Sequence, residues 1–143
     1  MGVYAPAPVV SKSMLAEITK NVLEPTVNGM RKEGIPYVGI LYAGLILTKD
    51  GPSVLEYNCR FGDPEAQVLL PLLSDDVDLA AVMMACINGC LDSVMMSFKK
   101  GFAATVVGVS GGYPGTYPKG VPITLPEKLA RMSNFFMVHF IVS

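Results

Sequence analysis

Glu56, Asn58 and Arg60 alternate along Val54-Leu55-Glu56-Tyr57-Asn58-Cys59-Arg60-Phe61, a run that opens with apolar, strand-forming residues. Alternate side chains of a strand share a face. The spacing therefore predicts a carboxylate and an amide on one face, with a guanidinium next along, and Leu55, Tyr57 and Cys59 turned into a core. A carboxylate and an amide oxygen so placed are hard donors suited to Mg²⁺, which keeps waters and takes phosphate oxygens as well. Arg60 could hold a carboxylate or phosphate through two parallel hydrogen bonds. A metal so placed would bridge nucleotide phosphates and offset charge in phosphoryl transfer. The alternative from spacing alone is a strand with a solvated polar face, closed by an ordinary turn.

The elements that must position these residues lie on either side. Gly62 breaks the strand, and Asp63-Pro64 reads as an N-cap and first helical position, opening a short helix over 64–73. A helix start there would favour anions. Upstream, 37–48 is apolar with glycines at 39 and 44, Lys49-Asp50-Gly51 is a turn signal, and 53–59 is the next strand, so the pair reads as a β-hairpin. Gly39 and Gly44 suit either a close ligand or backbone, or plain packing. Earlier still, residues 1–10 are extended; Ser11 or Ser13 caps a helix from about Met14, with Leu15, Ile18 and Val22 on one face. Pro25 either kinks that helix or starts a second, which Gly34 ends.

Beyond the hairpin, Ser74-Asp75-Asp76 interrupts the short helix and caps another over about 77–91, with an apolar stripe of Leu79, Val82, Met83, Cys86 and Cys90. Residues 102–109 read as a buried strand. The run 110–120 is dense in Gly and Pro and reads as a loop. It lacks the order of a Walker phosphate loop, although its backbone amides could bind an anion.

Whole-chain properties bound the function. The 143 residues suffice for one ordinary domain. A formal net charge of -1 gives no electrostatic footprint for nucleic acid or an anionic membrane. The longest apolar-plus-glycine run, 38–47, is too short to span a bilayer, which takes about 20 residues. No basic-then-apolar leader pattern appears at the N-terminus. Cys59, Cys86 and Cys90 make neither a disulfide framework nor a metal pair and read as buried thiols of a reducing compartment. With 51% hydrophobic and only 16% charged residues, the chain is apolar for a free-standing domain, as a piece of a larger protein would be.

The run LEYNCRFGDPEAQ resembles the ATP-grasp core motif of the phosphoribosylamine–glycine ligase (glycinamide ribonucleotide synthetase) family. The resemblance extends in order from residue 1 to about 125: 1–8 resembles the family's GGMGAYSPAP segment entered part-way, 36–44 its next strand, and 110–115 with Lys119-Gly120 a loop of its C-terminal domain. It implies an α+β fold: the C-terminal half of an ATP-grasp domain over 1–98, an antiparallel sheet with packed helices, then the start of a small β-rich domain over 99–126 and a divergent tail over 127–143. His139, the chain's one histidine, falls in that tail and reads as an incidental apolar-segment residue, the tail itself as read-through or a mispredicted exon.

The resemblance implies ATP-dependent ligation of 5-phosphoribosylamine and glycine to glycinamide ribonucleotide in purine biosynthesis, through an acyl phosphate. ATP is the co-substrate and Mg²⁺ or Mn²⁺ the cofactor, with Glu56 and Asn58 as metal ligands. Arg60 would steady the transferred phosphoryl group or the glycine carboxylate as the catalytic residue. Gly62, Asp63 and Glu65, with Arg60, would shape the substrate pocket. It implies small-molecule partners, a cytoplasmic location, and fusion to or association with other purine-synthesis enzymes such as aminoimidazole ribonucleotide synthetase. Val3 stands where the family has Ala, and the family's upstream domains have no counterpart, so the expectation is half an active site with little turnover. Two alternatives stand beside it: another ATP-grasp enzyme such as a purine-pathway carboxylase, against which the RFGDPE continuation argues, and a non-catalytic product.

Overall fold

The computed structural model describes residues 1–124. The expected tail over 127–143, with His139, lies outside the described residues. Residues Gly2–Thr105 form one compact unit; Met1 and the described residues from Val106 onward form a second.

Strand β1 (Gly2–Ala5) opens the first unit and pairs with β4 (Ala103–Val106) near its end. The first helix, α1 (Lys12–Ile18), begins where Ser11 Oγ accepts the Met14 amide at 3.1 Å, so of the two serines it is Ser11 that caps. A π-helical turn, Thr19–Leu23, leads directly into α2 (Glu24–Lys32). Its signature is the Glu24 amide donating to the Thr19 carbonyl, five residues back. Pro25 has no N–H, and its ring would collide with the carbonyl four residues earlier in a regular helix. The wider turn accommodates the ring, and Pro25 falls in the first turn of α2, as the expectation that it starts a second helix had it. Gly34, with φ of 80°, then stops α2: its amide donates to Arg31 O at 3.2 Å and the Ile35 amide to Met30 O at 3.1 Å. Only a residue free to adopt positive φ closes a helix this way at no steric cost.

The expected hairpin forms. Strand β2 (Tyr42–Thr48) runs antiparallel to β3 (Gly51–Asn58), joined by Lys49-Asp50, and Gly51 takes a φ of 107°. Residues 37–41 do not join β2, so the first strand is shorter than its apolar run. The register pairs Tyr42 with Asn58, Ala43 with Tyr57 and Gly44 with Glu56, then shifts so that Leu45 faces Val54. Leu55 is the extra residue of that bulge, and it is 67% exposed. Tyr57 and Cys59 are exposed too, which corrects the expectation that Leu55, Tyr57 and Cys59 point into a core. The bulge removes Leu55 from the alternation. On the opposite face Tyr57 finds Thr26 of α2, hydroxyl to hydroxyl at 2.8 Å, rather than an apolar layer.

After the hairpin the chain turns through Gly62 and Pro64 into α3 (Ala66–Leu69) and a 3₁₀ turn, Leu70–Leu72. This is shorter than the expected helix over 64–73 and starts later, so Asp63 is not its cap. Helix α4 (Leu79–Asn88) is capped by Asp78, whose Oδ1 accepts the Ala80 and Ala81 amides at 2.9 and 3.2 Å. Gly89, in the left-handed region, ends it at Asn88, three residues earlier than the expected limit at Leu91. The expected strand over 102–109 is the four-residue β4 and is not buried: Phe102 is 76% exposed. The buried apolar residues among those described are Ile18, Val68, Val82 and Ala85, with Pro64 sealed beside them. Of the expected stripe on α4 only Val82 is buried; Cys86 and Cys90 are half-buried free thiols and Cys59 an exposed one, not three buried thiols.

In the second unit the 110–120 loop folds on itself. The Tyr113 amide donates to Ser110 O at 3.1 Å, the Gly115 amide to Gly112 O at 2.9 Å, and the Tyr113 and Tyr117 rings meet edge to face at 5.6 Å. Two of the amides an anion would need there are spent inside the loop.

Candidate functional site

The end of β3 carries the site. Residues facing one another in an antiparallel pair project from the same side of the sheet. The register therefore puts Glu56 and Asn58 of β3 on one face with Gly44 and Tyr42 of β2. Gly44 has a use there: a Cβ at that position would lie 3.2 Å from Glu56 Cγ, so the missing side chain leaves room for the glutamate stem. Gly39, by contrast, has open space around it and a φ of 122°; its role is backbone conformation.

Asn58 Nδ2 donates to Glu56 Oε1 at 3.1 Å, and the Arg60 guanidinium donates to Asn58 Oδ1 at 3.3 Å and to Phe61 O at 3.0 Å. The expected alignment of carboxylate, amide and guanidinium is thus present as a chain of contacts. Asn58 is half-buried; Glu56 and Arg60 are exposed, so the face is open. One carboxylate and one amide oxygen are hard donors of the kind Mg²⁺ takes, but Asn58 turns its NH2 to Glu56 and its Oδ1 to Arg60, so both oxygens reach one cation only after the amide turns and the guanidinium withdraws. No group of three or more His, Cys, Asp or Glu side chains among the described residues is arranged as a metal site.

The turn after β3 adds Glu65. Tyr42 Oη donates to Glu65 Oε1 at 2.9 Å. The other carboxylate oxygen occupies the space over Gly62, where a Cβ would come within 2.2 Å of it. Burial pushes the Tyr42 phenol above its ordinary pKa, reinforced by the hydrogen bond to Glu65 and by the negative charges of Glu65 and Glu56, with Arg60 opposing. Asp63 stands apart: it is exposed and accepts from Gln67 Nε2 at 3.2 Å. The helix that follows has four residues, too short to concentrate a dipole, so the expected anion-favouring helix start is not part of the site.

Tyr42 and its link to Glu65 were not legible as a site from the sequence. A tyrosine at the head of an apolar strand is ordinary. The signal would have been parity, since Tyr42 and Gly44 must share a face, but the partner lies across a turn whose geometry is not encoded locally.

The comparisons with known proteins fit this geometry. Residues 1–66 match the family profile described as phosphoribosylglycinamide synthetase, ATP-grasp (A) domain. The chain is 62% identical over 125 residues to the trifunctional purine biosynthetic protein adenosine-3 of Gallus gallus, covering 87% of this chain and 12% of that protein. It is 54% identical over 132 residues to the human protein of the same name, covering 91% and 13%. It is 52% identical over 136 residues to the bifunctional purine biosynthetic protein ADE1 of Schizosaccharomyces pombe, covering 95% and 17%. The chain thus spans well under a fifth of the length of these relatives. With a hairpin that gathers Glu56, Asn58 and Arg60, residues 1–66 are similar to the phosphoribosylglycinamide synthetase ATP-grasp (A) domain, and nearly the whole chain is similar to a stretch of these purine biosynthetic proteins.

Proposed function

We propose that this chain supplies the metal- and substrate-facing part of a phosphoribosylamine–glycine ligase site, acting in ATP-dependent formation of glycinamide ribonucleotide in the cytoplasm. In this reading 1–98 is the partial ATP-grasp subdomain and 99–126 begins a C-terminal ligase domain. Glu56 and Asn58 would hold Mg²⁺ or Mn²⁺, which when bound would offset charge on the nucleotide phosphates. Arg60 steadies the glycine carboxylate as its oxygen takes the γ-phosphoryl group and ADP leaves. The amine of 5-phosphoribosylamine then attacks the acyl carbon, loses a proton and expels phosphate. Gly62, Asp63 and Glu65 border the pocket for the two substrates. Work of this kind is positioning and charge stabilisation, and it suits a face with a guanidinium and two carboxylates but no activated nucleophile. The relatives are multifunctional purine biosynthetic proteins by name, which supports a partner or fused domain from the same pathway.

The observation that supports this reading is that Glu56 and Asn58 share one open face of the hairpin, with Arg60 next along. Titrating Mn²⁺ by electron paramagnetic resonance tests it. Glu56→Ala removes one of two protein ligands and is expected to weaken binding about tenfold or more. Superimposable curves for the wild type and the variant would take Glu56 out of the site.

A further inference from the structure

We infer that a groove between α2 and the end of α4 binds a free amino acid with an apolar side chain, its carboxylate on Arg31 and its ammonium on Asp92. The groove holds about 420 Å³, within the roughly 300–1,000 Å³ of small-molecule sites. Helix α2 supplies Val27 and Arg31, which are one turn apart and so share a face of the helix. Val38 comes from the segment ahead of β2, and Leu91 and Asp92 from the 3₁₀ turn, Leu91–Ser93, that follows α4. Gly39 and Gly89 border the groove with open space where a side chain would stand. None of Glu56, Asn58 and Arg60 lines it, so its occupancy does not depend on a metal at β3.

The lining carries one charge of each sign, and neither is spent on an ion pair. Among the described residues the salt bridge joins Lys99 to Asp75, which leaves Arg31 and Asp92 without one. Arg31 Nη1 donates to Asn28 Oδ1 at 3.0 Å. That bond steadies the guanidinium and leaves its other N–H groups for a carboxylate. Asp92 follows the C-terminus of α4, whose negative end also favours a cation. A simple carboxylate would satisfy Arg31 but be repelled by Asp92, and a simple amine the reverse. A zwitterion satisfies both, so the repulsive partner in each case supplies the selectivity. Val27, Val38 and Leu91 add aliphatic surface, which favours a branched hydrocarbon side chain over glycine.

The test is a nuclear magnetic resonance titration of the full chain at pH 7 with leucine, glycine, isovalerate and 3-methylbutylamine. Leucine should bind saturably. Isovalerate and 3-methylbutylamine each lack one charged group and should bind about tenfold more weakly or worse. Glycine should also bind more weakly, because it leaves the aliphatic wall unused. Arg31 and Asp92 are both exposed, so Arg31→Gln and Asp92→Asn should keep the circular dichroism of the wild type. Each should weaken leucine about tenfold. Asp92→Asn should at the same time bind isovalerate more tightly than the wild type does, since only repulsion has been removed, and Arg31→Gln should do the same for the amine. A merely structural role for either residue would not reverse the preference by charge. No saturation by about 10 mM leucine, equal binding of leucine and isovalerate, or unaltered leucine binding in both variants each overturns the inference.

Discussion

Gly62 is the residue on which the geometry of the turn after β3 depends. A Cβ there would lie 2.2 Å from Glu65 Oε2 and 2.8 Å from Cδ, far inside contact distance. The two nearest atoms are the far end of a flexible side chain, but Glu65 Cβ, at 3.0 Å, is tied to the backbone, so alanine at 62 displaces the carboxylate and presses on the turn as well. Gly62→Ala is therefore expected to break the Tyr42–Glu65 bond and to lower stability by about 1 kcal/mol, the net worth of one such bond. If both changes act through that bond, Gly62→Ala combined with Tyr42→Phe costs little more than either alone. Thermal melts of the singles and the double measure this, and strict additivity would mean that the glycine serves something else. Asp63 belongs to a different group of contacts, since Gln67 occupies its carboxylate; its proposed place in the pocket depends on substrate reaching it on the exposed side.

The elements carry these residues with devices of unequal legibility. Ser11, Gly34 and the Lys49-Asp50-Gly51 turn were readable because each is settled by local chemistry: a hydroxyl that caps, and glycines that take positive φ. The cap of α4 was not, although its ingredients are in the sequence. Three aspartates crowd its start, at 75, 76 and 78. Asp75 pairs with Lys99 at 2.6 Å and Asp76 accepts from Ser97 Oγ at 3.3 Å, which leaves Asp78 to accept the helix amides. That choice is made by residues some twenty positions away, so no local rule could make it. The polar face of β3 was legible from period alone, whereas the bulge at Leu55 and the exposure of Tyr57 and Cys59 depend on register and on what lies opposite. Asp78→Ala is expected to destabilise the protein by about 1 kcal/mol through the loss of both capping bonds, with Asp78→Asn recovering most of it. Chemical denaturation of the pair checks the assignment, and equal losses would point to charge rather than capping.

At the scale of the whole molecule, apolar side chains outnumber the places to put them. Four apolar residues are buried among those described, while Leu55, Ile87, Met95 and Phe98 are each exposed by more than half. Each fully buried side chain of this kind contributes about 1.5–3 kcal/mol, so this much exposed apolar surface favours association in water. The relatives are several times longer than the stretch they share with this chain. For the chain by itself, the expectation is concentration-dependent self-association on size exclusion. Leu55→Lys and Met95→Lys should shift the distribution toward monomer while leaving helical circular dichroism unchanged, because the bulge residue Leu55 and Met95, which is 84% exposed, contribute nothing to the buried set. A loss of helical signal in either variant would instead mean that the side chain packs within the folded chain, and the account of a small core with surplus apolar surface would fail at that position.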